Sequence, residues 1–282
     1  MGIDEVAGEA KKMARDAKDH PWVDRLTRVG YATRGVIYGL VGFLAVQTLL
    51  GRGRITDQNG VLNTIAAQPF GKVLMILIAV GLLGMLIWGI IRAIADPYRK
   101  GSDLKGIVSR IGYFIGGLSY GTLLIPTIQL ITGYGRNQGS SSQSAQEAAA
   151  GILTKPWGPW LVGLVGLILI GVAIYRIYSG IKGKLAERLN AYDMTEEQRE
   201  LAQQMGRFGY VAVGVVFGII GILAILAATT LNPERVGGLD QALTFLSQQA
   251  YGPWLLGAVA FGLMAYAVYS FMGALWFRIK GL

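Results

Sequence analysis

Long apolar stretches alternate with polar connections along this chain. Six of these stretches, at about residues 29–50, 73–94, 107–131, 157–178, 208–231 and 253–277, contain no acidic residue. Each has about the 20 residues that an α-helix needs to cross a hydrocarbon core roughly 30 Å thick. The pattern therefore predicts six membrane-spanning helices.

The first, third and fifth spans open with one shared motif. Arg, any residue and Gly-Tyr are followed at fixed offsets by two glycines four residues apart, and an aromatic residue precedes the second glycine. The opening residues are Arg28, Gly30 and Tyr31; Arg110, Gly112 and Tyr113; and Arg207, Gly209 and Tyr210. The glycine pairs are Gly35 and Gly39, Gly117 and Gly121, and Gly214 and Gly218. Three copies at matching offsets indicate a tandem internal repeat.

Each repeat contains two spans, so all three copies enter the membrane from the same side. This predicts an all-α polytopic membrane helix bundle, with three tandem parallel hairpins around a pseudo-threefold axis along the membrane normal. The chain divides into a charged N-terminal segment at 1–24 and repeats at 25–106, 107–205 and 206–282. Thr195 and Gln198 match a capping box, which predicts a polar linker helix from about residue 196 to residue 206.

Composition and charge agree with a bilayer location. Apolar residues make up 52% of the 282 residues and charged residues 15%, which leaves little polar surface for a soluble protein of this size. The first, third and fifth connections are flanked by few cations, namely Arg52, Arg54, Lys72, Arg136, Lys155 and Arg235. This positive-inside bias places both termini in the cytoplasm and explains the net charge of +9 without a nucleic-acid partner. Because residues 1–28 contain no apolar segment, the first span is expected to be a retained signal-anchor.

The connection within each hairpin carries a short amphipathic pattern, which predicts a short helix over the outer mouth of the bundle. An aromatic residue and Gly open each even-numbered span, and a second aromatic residue follows that Gly by 17 positions. The pairs are Phe70 with Trp88, Trp157 with Tyr175, and Tyr251 with Tyr269. These spacings predict aromatic anchors at the two membrane interfaces.

The glycine pairs are the most specific packing signal. Two glycines one turn apart let helix backbones approach closely in a membrane. Their equal depth in three helices suggests that the first helices of the hairpins meet near the pseudo-axis. The alternative is that each glycine face packs against the second helix of its own hairpin.

A few polar residues inside the spans are candidates for a ligand site. Arg34 is interpreted either as an anion or lipid-headgroup site or as a side chain that snorkels to the interface, and Arg92 and Arg176 are interpreted in the same way. Pro126 is expected to kink the third span and to free the carbonyl of Thr122. Arg34, Thr122 and Pro126 are therefore the possible ligand or anion residues.

Catalytic and metal-binding patterns are absent from the sequence. His20 is the only histidine, no cysteine is present, and no nucleotide-binding or hydrolase motif occurs. No catalytic residue, metal site or cofactor is therefore expected. Because no Asp or Glu lies within a span, ion-coupled transport is disfavoured.

The repeated motif resembles that of a bacterial membrane family called domain of unknown function 1206. The resemblance rests on the triplicated motif, the Asp57-Gln58 and Asp240-Gln241 loops and the aromatic-Gly openings of the even spans, and it covers about residues 25–282. The second copy departs most, because its loop lacks the Asp. The resemblance implies a six-helix, three-repeat protein of the bacterial inner membrane, and it implies no activity or ligand.

Three functions fit this sequence. The first is a non-enzymatic structural or accessory protein that binds membrane lipids, a membrane protein complex or further copies of itself. The second is a channel or carrier for a small neutral or anionic solute. The third is a binder of a hydrophobic ligand, such as a lipid, quinone or carotenoid, between repeats.

Overall fold

The computed structural model describes residues 21–95, 104–133, 140–183, 185–186, 189 and 193–277, and its regular structure is helical over these residues. The helices are α1 (Pro21–Leu49), α2 (Gln58–Ala66), α3 (Gly71–Ala95), α4 (Leu104–Thr132), α5 (Ser141–Leu153), α6 (Gly158–Lys182), α7 (Glu196–Thr230), α8 (Leu239–Ser247) and α9 (Gly252–Trp276), with a 3-10 turn at Pro233–Arg235. Six of them, α1, α3, α4, α6, α7 and α9, are long and apolar enough to cross a membrane. The predicted six-helix membrane fold is therefore confirmed. The N-terminal segment with His20 lies outside the described residues.

Each hairpin has one short helix between its two spans, namely α2, α5 or α8. The three short helices lie at one end of the bundle, which we call the cap end. We call the opposite end, where Arg28, Arg110 and Arg207 lie, the motif end. Asp57 connects two of the short helices, because its Oδ1 accepts from Gly60 N at 2.9 Å and its Oδ2 accepts from Ser141 N at 2.5 Å. Leu62 and Leu243 are fully buried beneath the cap.

Each even-numbered span begins at a glycine because the chain turns tightly there. A Cβ at Gly71 would lie 2.3 Å from the carbonyl oxygen of Ala66, and one at Gly252 would lie 2.0 Å from that of Ser247. A Cβ at Gly158 would clash in the same way with the carbonyl of Ile152. The glycine therefore permits the short helix to fold back directly onto the next span.

The predicted linker helix is part of the fifth span. Thr195 accepts from Gln198 N, and the Gln198 side chain accepts from Thr195 N, so the capping box is present. The helix does not end near Gly206 but continues to Thr230 as one helix of 35 residues. A single rigid element thus extends from the motif end across the bundle.

The six spanning helices form an open ring in the order α4, α3, α1, α9, α7, α6. Within the first and third repeats, the two spans pack on each other. Between repeats, the second span of one repeat packs on the first span of the next, and α9 closes the series by packing on α1. Over residues 104–133 and 140–183, α4 and α6 share no comparable interface, so the second hairpin is open.

The aromatic anchors are only partly as predicted. Phe70, Trp157 and Tyr251 at the cap end are strongly exposed, as anchors should be. Trp88 and Tyr269 are instead 1% and 2% exposed. Trp88 packs edge-on against Phe277 and Tyr269 packs edge-on against Tyr210, so both face other parts of the bundle rather than the lipid. Tyr175 is exposed, as predicted.

Candidate functional site

The glycine pair of each first span faces the second span of the preceding repeat. A Cβ at Gly35 of α1 would lie 3.0 Å from the ring of Phe271 on α9. One at Gly117 of α4 would lie 2.9 Å from the Cα of Gly89 on α3. The remaining pair members face the matching neighbours: Gly39 faces Ala267, Gly121 faces Leu86, Gly214 faces Ile177 and Gly218 faces Ala173. Both expectations for these glycines are therefore wrong, because each pair packs neither at the pseudo-axis nor on its own hairpin but on the second span of another repeat.

The aromatic residue before the second glycine of each pair lies in the interior of the bundle. Tyr38, Tyr120 and Phe217 all pack against the central hydrophobic core. Successive residues of an α-helix are about 100° apart, so a glycine that faces the neighbouring helix turns the preceding side chain inward. Aromatic side chains, rather than glycine faces, occupy the centre.

Arg34 of α1 lies in this interior and is only 9% exposed. Its Nε donates to Ser270 Oγ on α9 at 3.1 Å. Its Cζ lies 4.5 Å from the centroid of the Tyr31 ring and 5.0 Å from that of the Tyr266 ring. The snorkelling interpretation of Arg34 is therefore wrong, because its guanidinium is held between two rings.

Arg176 of α6 reaches the same region from the other side. Its Cζ lies 5.8 Å from the centroid of the Tyr210 ring and 5.1 Å from that of the Phe217 ring, both on α7. Arg176 also interacts electrostatically with Tyr266. Tyr266 is thus a neighbour of both arginines.

Side chains from five spanning helices meet here, and we call them the axial cluster. Its members are Arg34, Tyr38, Tyr120, Arg176, Tyr210 and Tyr266. The Tyr266 ring centroid lies 5.0 Å from that of Tyr38 and 5.7 Å from that of Tyr210, both in edge-to-face geometry. Tyr120 of α4 is within electrostatic range of Arg34 and Tyr38. The cluster contains two cations and no carboxylate.

The arginines follow the repeat interfaces. Arg92 of α3 lies 4.9 Å from the ring centroid of Tyr113 on α4, as Arg176 of α6 lies over Tyr210 of α7. Arg176 stands 18 residues after Gly158, and Ser270 stands 18 residues after Gly252. Ser270 of α9 therefore occupies the position that Arg176 occupies in α6. At this third interface the guanidinium next to the motif tyrosine, Tyr31, comes from Arg34 of α1. Each motif tyrosine is thus contacted by an arginine.

Two of the three motif arginines bind the end of the preceding repeat. Arg28 Nε donates to Ala274 O on α9 at 2.7 Å, and Arg110 Nε donates to Ala93 O on α3 at 2.6 Å. Both carbonyls are at the C-terminal ends of spans, where cations are favoured by the helix dipole. Arg207 is exposed. In its place Gln203 Nε2 donates to Gly183 O at 2.7 Å, just beyond α6.

The structure does not group Thr122 with Arg34. Thr122 is exposed, and its hydroxyl donates to Ser119 O of its own helix at 2.8 Å. Pro126 is buried within α4, which continues through it to Thr132. Of the three ligand candidates, only Arg34 belongs to the axial cluster.

The open hairpin leaves one side of the bundle unsealed. In the first and third hairpins, whose two spans pack on each other, the glycine of the Gly-Tyr motif contacts the second span. A Cβ at Gly30 would lie 2.3 Å from Met85 Cγ, and one at Gly209 would lie 2.6 Å from Tyr266 Cα. Among the described residues, the equivalent Gly112 has no neighbour within 4 Å of such a Cβ, and neither does Gly116. We call the gap between α4 and α6 the lateral opening.

Sequence reasoning nominated Arg34 but missed the partners that define its surroundings. Tyr266 and Ser270 lie outside the repeated motif, and the equal spacing of Arg176 and Ser270 from their opening glycines shows only that these two positions are equivalent. Within the residues that the structure describes, no three His, Cys, Asp or Glu side chains are grouped as metal ligands would be. The chemistry of the cluster is therefore cationic and aromatic.

Comparisons with known proteins identify similarity over most of the chain. A family model described as Domain of Unknown Function (DUF1206) matches residues 29–96, 111–183 and 208–276. The chain is also 33% identical over 252 residues to the uncharacterized protein YxxB of Bacillus subtilis (strain 168), covering 89% of this chain and 90% of that protein. No solved structure matches.

Proposed function

The chain belongs to the family described as Domain of Unknown Function (DUF1206), and from that premise we propose that it is a non-enzymatic membrane protein that binds an anionic group in its axial cluster. The family description names no activity, so the proposal comes from the cluster itself. The group is a phosphate or carboxylate, because the planar guanidinium of Arg matches these anions with paired hydrogen bonds.

Within the described residues, two arginines that have no carboxylate partner carry this proposal: Arg34, which is buried, and Arg176, which is half-buried. A charged side chain within the hydrocarbon region costs about 3 kcal/mol or more unless it is paired. Contacts with aromatic faces are worth about 2 kcal/mol when desolvated, so they offset part of this cost. None of the six apolar stretches contains an Asp or Glu that could balance Arg34 and Arg176, because the acidic residues of α1 and α7 lie near the N-terminal ends of these helices, outside the stretches. A bound anion supplies the missing charge.

Binding fits the interior better than permeation. Tyr38, Tyr120 and Phe217 fill the centre around the core, and the cap residues Leu62 and Leu243 are fully buried. A channel or carrier for a small anion is the alternative, and it is tested alongside. We further propose that the protein lies in the bacterial inner membrane with both termini and the motif end in the cytoplasm, as the positive-inside bias favours.

The test measures anion binding by the delipidated full-length protein in a neutral detergent. Binding of inorganic phosphate is measured by calorimetry, and binding of phosphatidylglycerol by native mass spectrometry. Phosphatidylcholine, whose zwitterionic headgroup has no net charge, is the control lipid. We expect the double variant Arg34→Gln/Arg176→Gln to weaken binding of either anion at least tenfold. The matched control, Arg207→Gln, changes an exposed arginine at the motif end and should leave binding unchanged.

A second variant separates binding from folding. Arg34→Lys keeps the positive charge but loses the planar guanidinium that forms paired hydrogen bonds. This variant should fold normally and should bind phosphate and phosphatidylglycerol more weakly than the wild-type protein does. Equal binding by wild type and a folded double variant would overturn the proposal. Phosphate flux above background in liposomes containing the wild-type protein would favour the channel or carrier instead.

A further inference from the structure

We infer that the anionic group is the headgroup of a membrane lipid, which enters the axial cluster sideways through the lateral opening. This inference rests on the proposed function and names its ligand class and route.

The lateral opening leads to the cluster. Gly112, Gly116 and Tyr120 recur every four residues, so they lie along one stripe of α4. In the part of the chain that the structure describes, a Cβ added at either glycine would have no neighbour within 4 Å. On the facing side, Arg176 belongs to α6. Both helices that flank the opening therefore contribute a member of the axial cluster.

The walls of the opening favour an acyl chain. On α6, Val165 is exposed and Val172 is half-buried. Val165 and Val172 precede Arg176 by eleven and four residues and so share its face of α6. An apolar passage that ends at an arginine matches a molecule with an anionic head and an apolar tail.

The depth of the arginine also suits a lipid. Arg176 lies six residues before the end of α6 at Lys182, which corresponds to about 9 Å along the helix. A headgroup needs to descend only that far from the motif-end interface, while its chains stay in the hydrocarbon layer.

Charge complementarity selects a lipid over a partner helix as the occupant. A span from a second copy of this chain carries no acidic residue within its apolar stretch. It would fill the opening but leave Arg34 and Arg176 without an anion. An anionic lipid fills the opening and balances the charge.

The experiment blocks the opening without touching the arginines. Gly116→Trp adds a large side chain where no neighbour lies within 4 Å. Gly171→Trp is the matched control, because Gly171 of α6 is equally free of neighbours but lies about 140° around the helix from Arg176. Phosphatidylglycerol binding to the delipidated protein is measured by native mass spectrometry, and inorganic phosphate binding by calorimetry.

We expect Gly116→Trp to lower phosphatidylglycerol affinity at least tenfold and to leave phosphate affinity unchanged, whereas Gly171→Trp should change neither. If Gly116→Trp fails to fold, Gly116→Leu replaces it with the same expectation. Equal lipid binding by both tryptophan variants would overturn the lateral route.

Two further outcomes distinguish this inference from the proposed function. Phosphate binding that depends on Arg34 and Arg176, without binding of phosphatidylglycerol, would overturn the lipid assignment and leave the anion site standing. Binding of neither anion would overturn both. A wild-type dimer that Gly116→Trp converts to a monomer would show that a second copy occupies the opening, and it would also overturn the inference.

Discussion

Two neighbouring glycines of α4 differ completely in their surroundings. Gly117 touches the backbone of α3, where a Cβ would lie 2.9 Å from Gly89 Cα. Gly116 faces the lateral opening and has no neighbour within 4 Å of such a Cβ. Both residues are glycine, so the residue type does not distinguish them. Gly117 permits close packing of α4 on α3, whereas Gly116 leaves space in the lateral opening.

Substitution of these two glycines should have opposite effects. Gly117→Ala places a Cβ against backbone that cannot yield without a shift of α3, so we expect a loss of about 2 kcal/mol. Gly116→Ala should be neutral or should stabilise by up to about 1 kcal/mol, because Ala favours the helix over Gly. Thermal unfolding of each variant in detergent checks this, and equal effects would contradict the assigned packing.

The motif arginines differ in the same way. Arg28 binds the carbonyl of Ala274, whereas Arg207 is exposed. A hydrogen bond from a charged group contributes about 1.5 to 3 kcal/mol. We expect Arg28→Gln to lower stability by about that amount and Arg207→Gln to have little effect, as measured by thermal unfolding. A larger effect at Arg207 would contradict the assigned roles.

At the scale of elements, the short helices stabilise the cap by sharing a carboxylate. Asp57 is the N-cap of α2 and also accepts from Ser141 N at the start of α5. Helix N-termini have unpaired N–H groups and favour negative charge. One side chain therefore joins the first repeat to the second at the cap end.

Removal of this carboxylate should loosen two helices together. Asp57→Ala loses both bonds, and we expect a destabilisation of about 3 kcal/mol. Glu147→Ala, at an exposed position of α5, is the matched control and should be neutral. Hydrogen exchange followed by mass spectrometry should show faster exchange in both α2 and α5, and a change confined to α2 would contradict the shared cap.

At the scale of the whole molecule, the contact of α9 with α1 joins the last repeat to the first. Gly42 of α1 approaches the backbone of α9 closely, since a Cβ there would lie 2.8 Å from Ala260 O. Arg34 adds its bond to Ser270 across the same interface. The ring is closed at this interface and open between α4 and α6.

A large residue at the closure should weaken the entire bundle. Gly42→Leu cannot be accommodated without moving α9, so we expect at least about 3 kcal/mol of destabilisation and one transition at lower temperature. Gly171→Leu, at a position with no neighbour within 4 Å, is the control. Calorimetric unfolding in detergent checks this, and an unchanged transition for Gly42→Leu would show that the closure is not tight.

The candidate site was only partly predictable from the sequence. Arg34 stood out because an ionisable residue inside a span is rare. Thr122 and Pro126 were candidates because a proline inside a span frees a backbone carbonyl, but they belong to α4 rather than α1, and Thr122 is exposed. Tyr266 and Ser270 carried no signal of their own, because an aromatic or small residue in a span is ordinary.

The sequence by itself determined the six spans, their pairing into three equivalent hairpins and the capping box at Thr195, because span length, repeat spacing and capping are properties of local sequence. Only the tertiary structure decided which helix each glycine pair faces, that Arg34 is enclosed by rings and that the second hairpin is open. These features depend on the rotation of each helix about its axis and on the order of helices around the ring. A glycine pair permits close approach on one face without specifying the partner that approaches it.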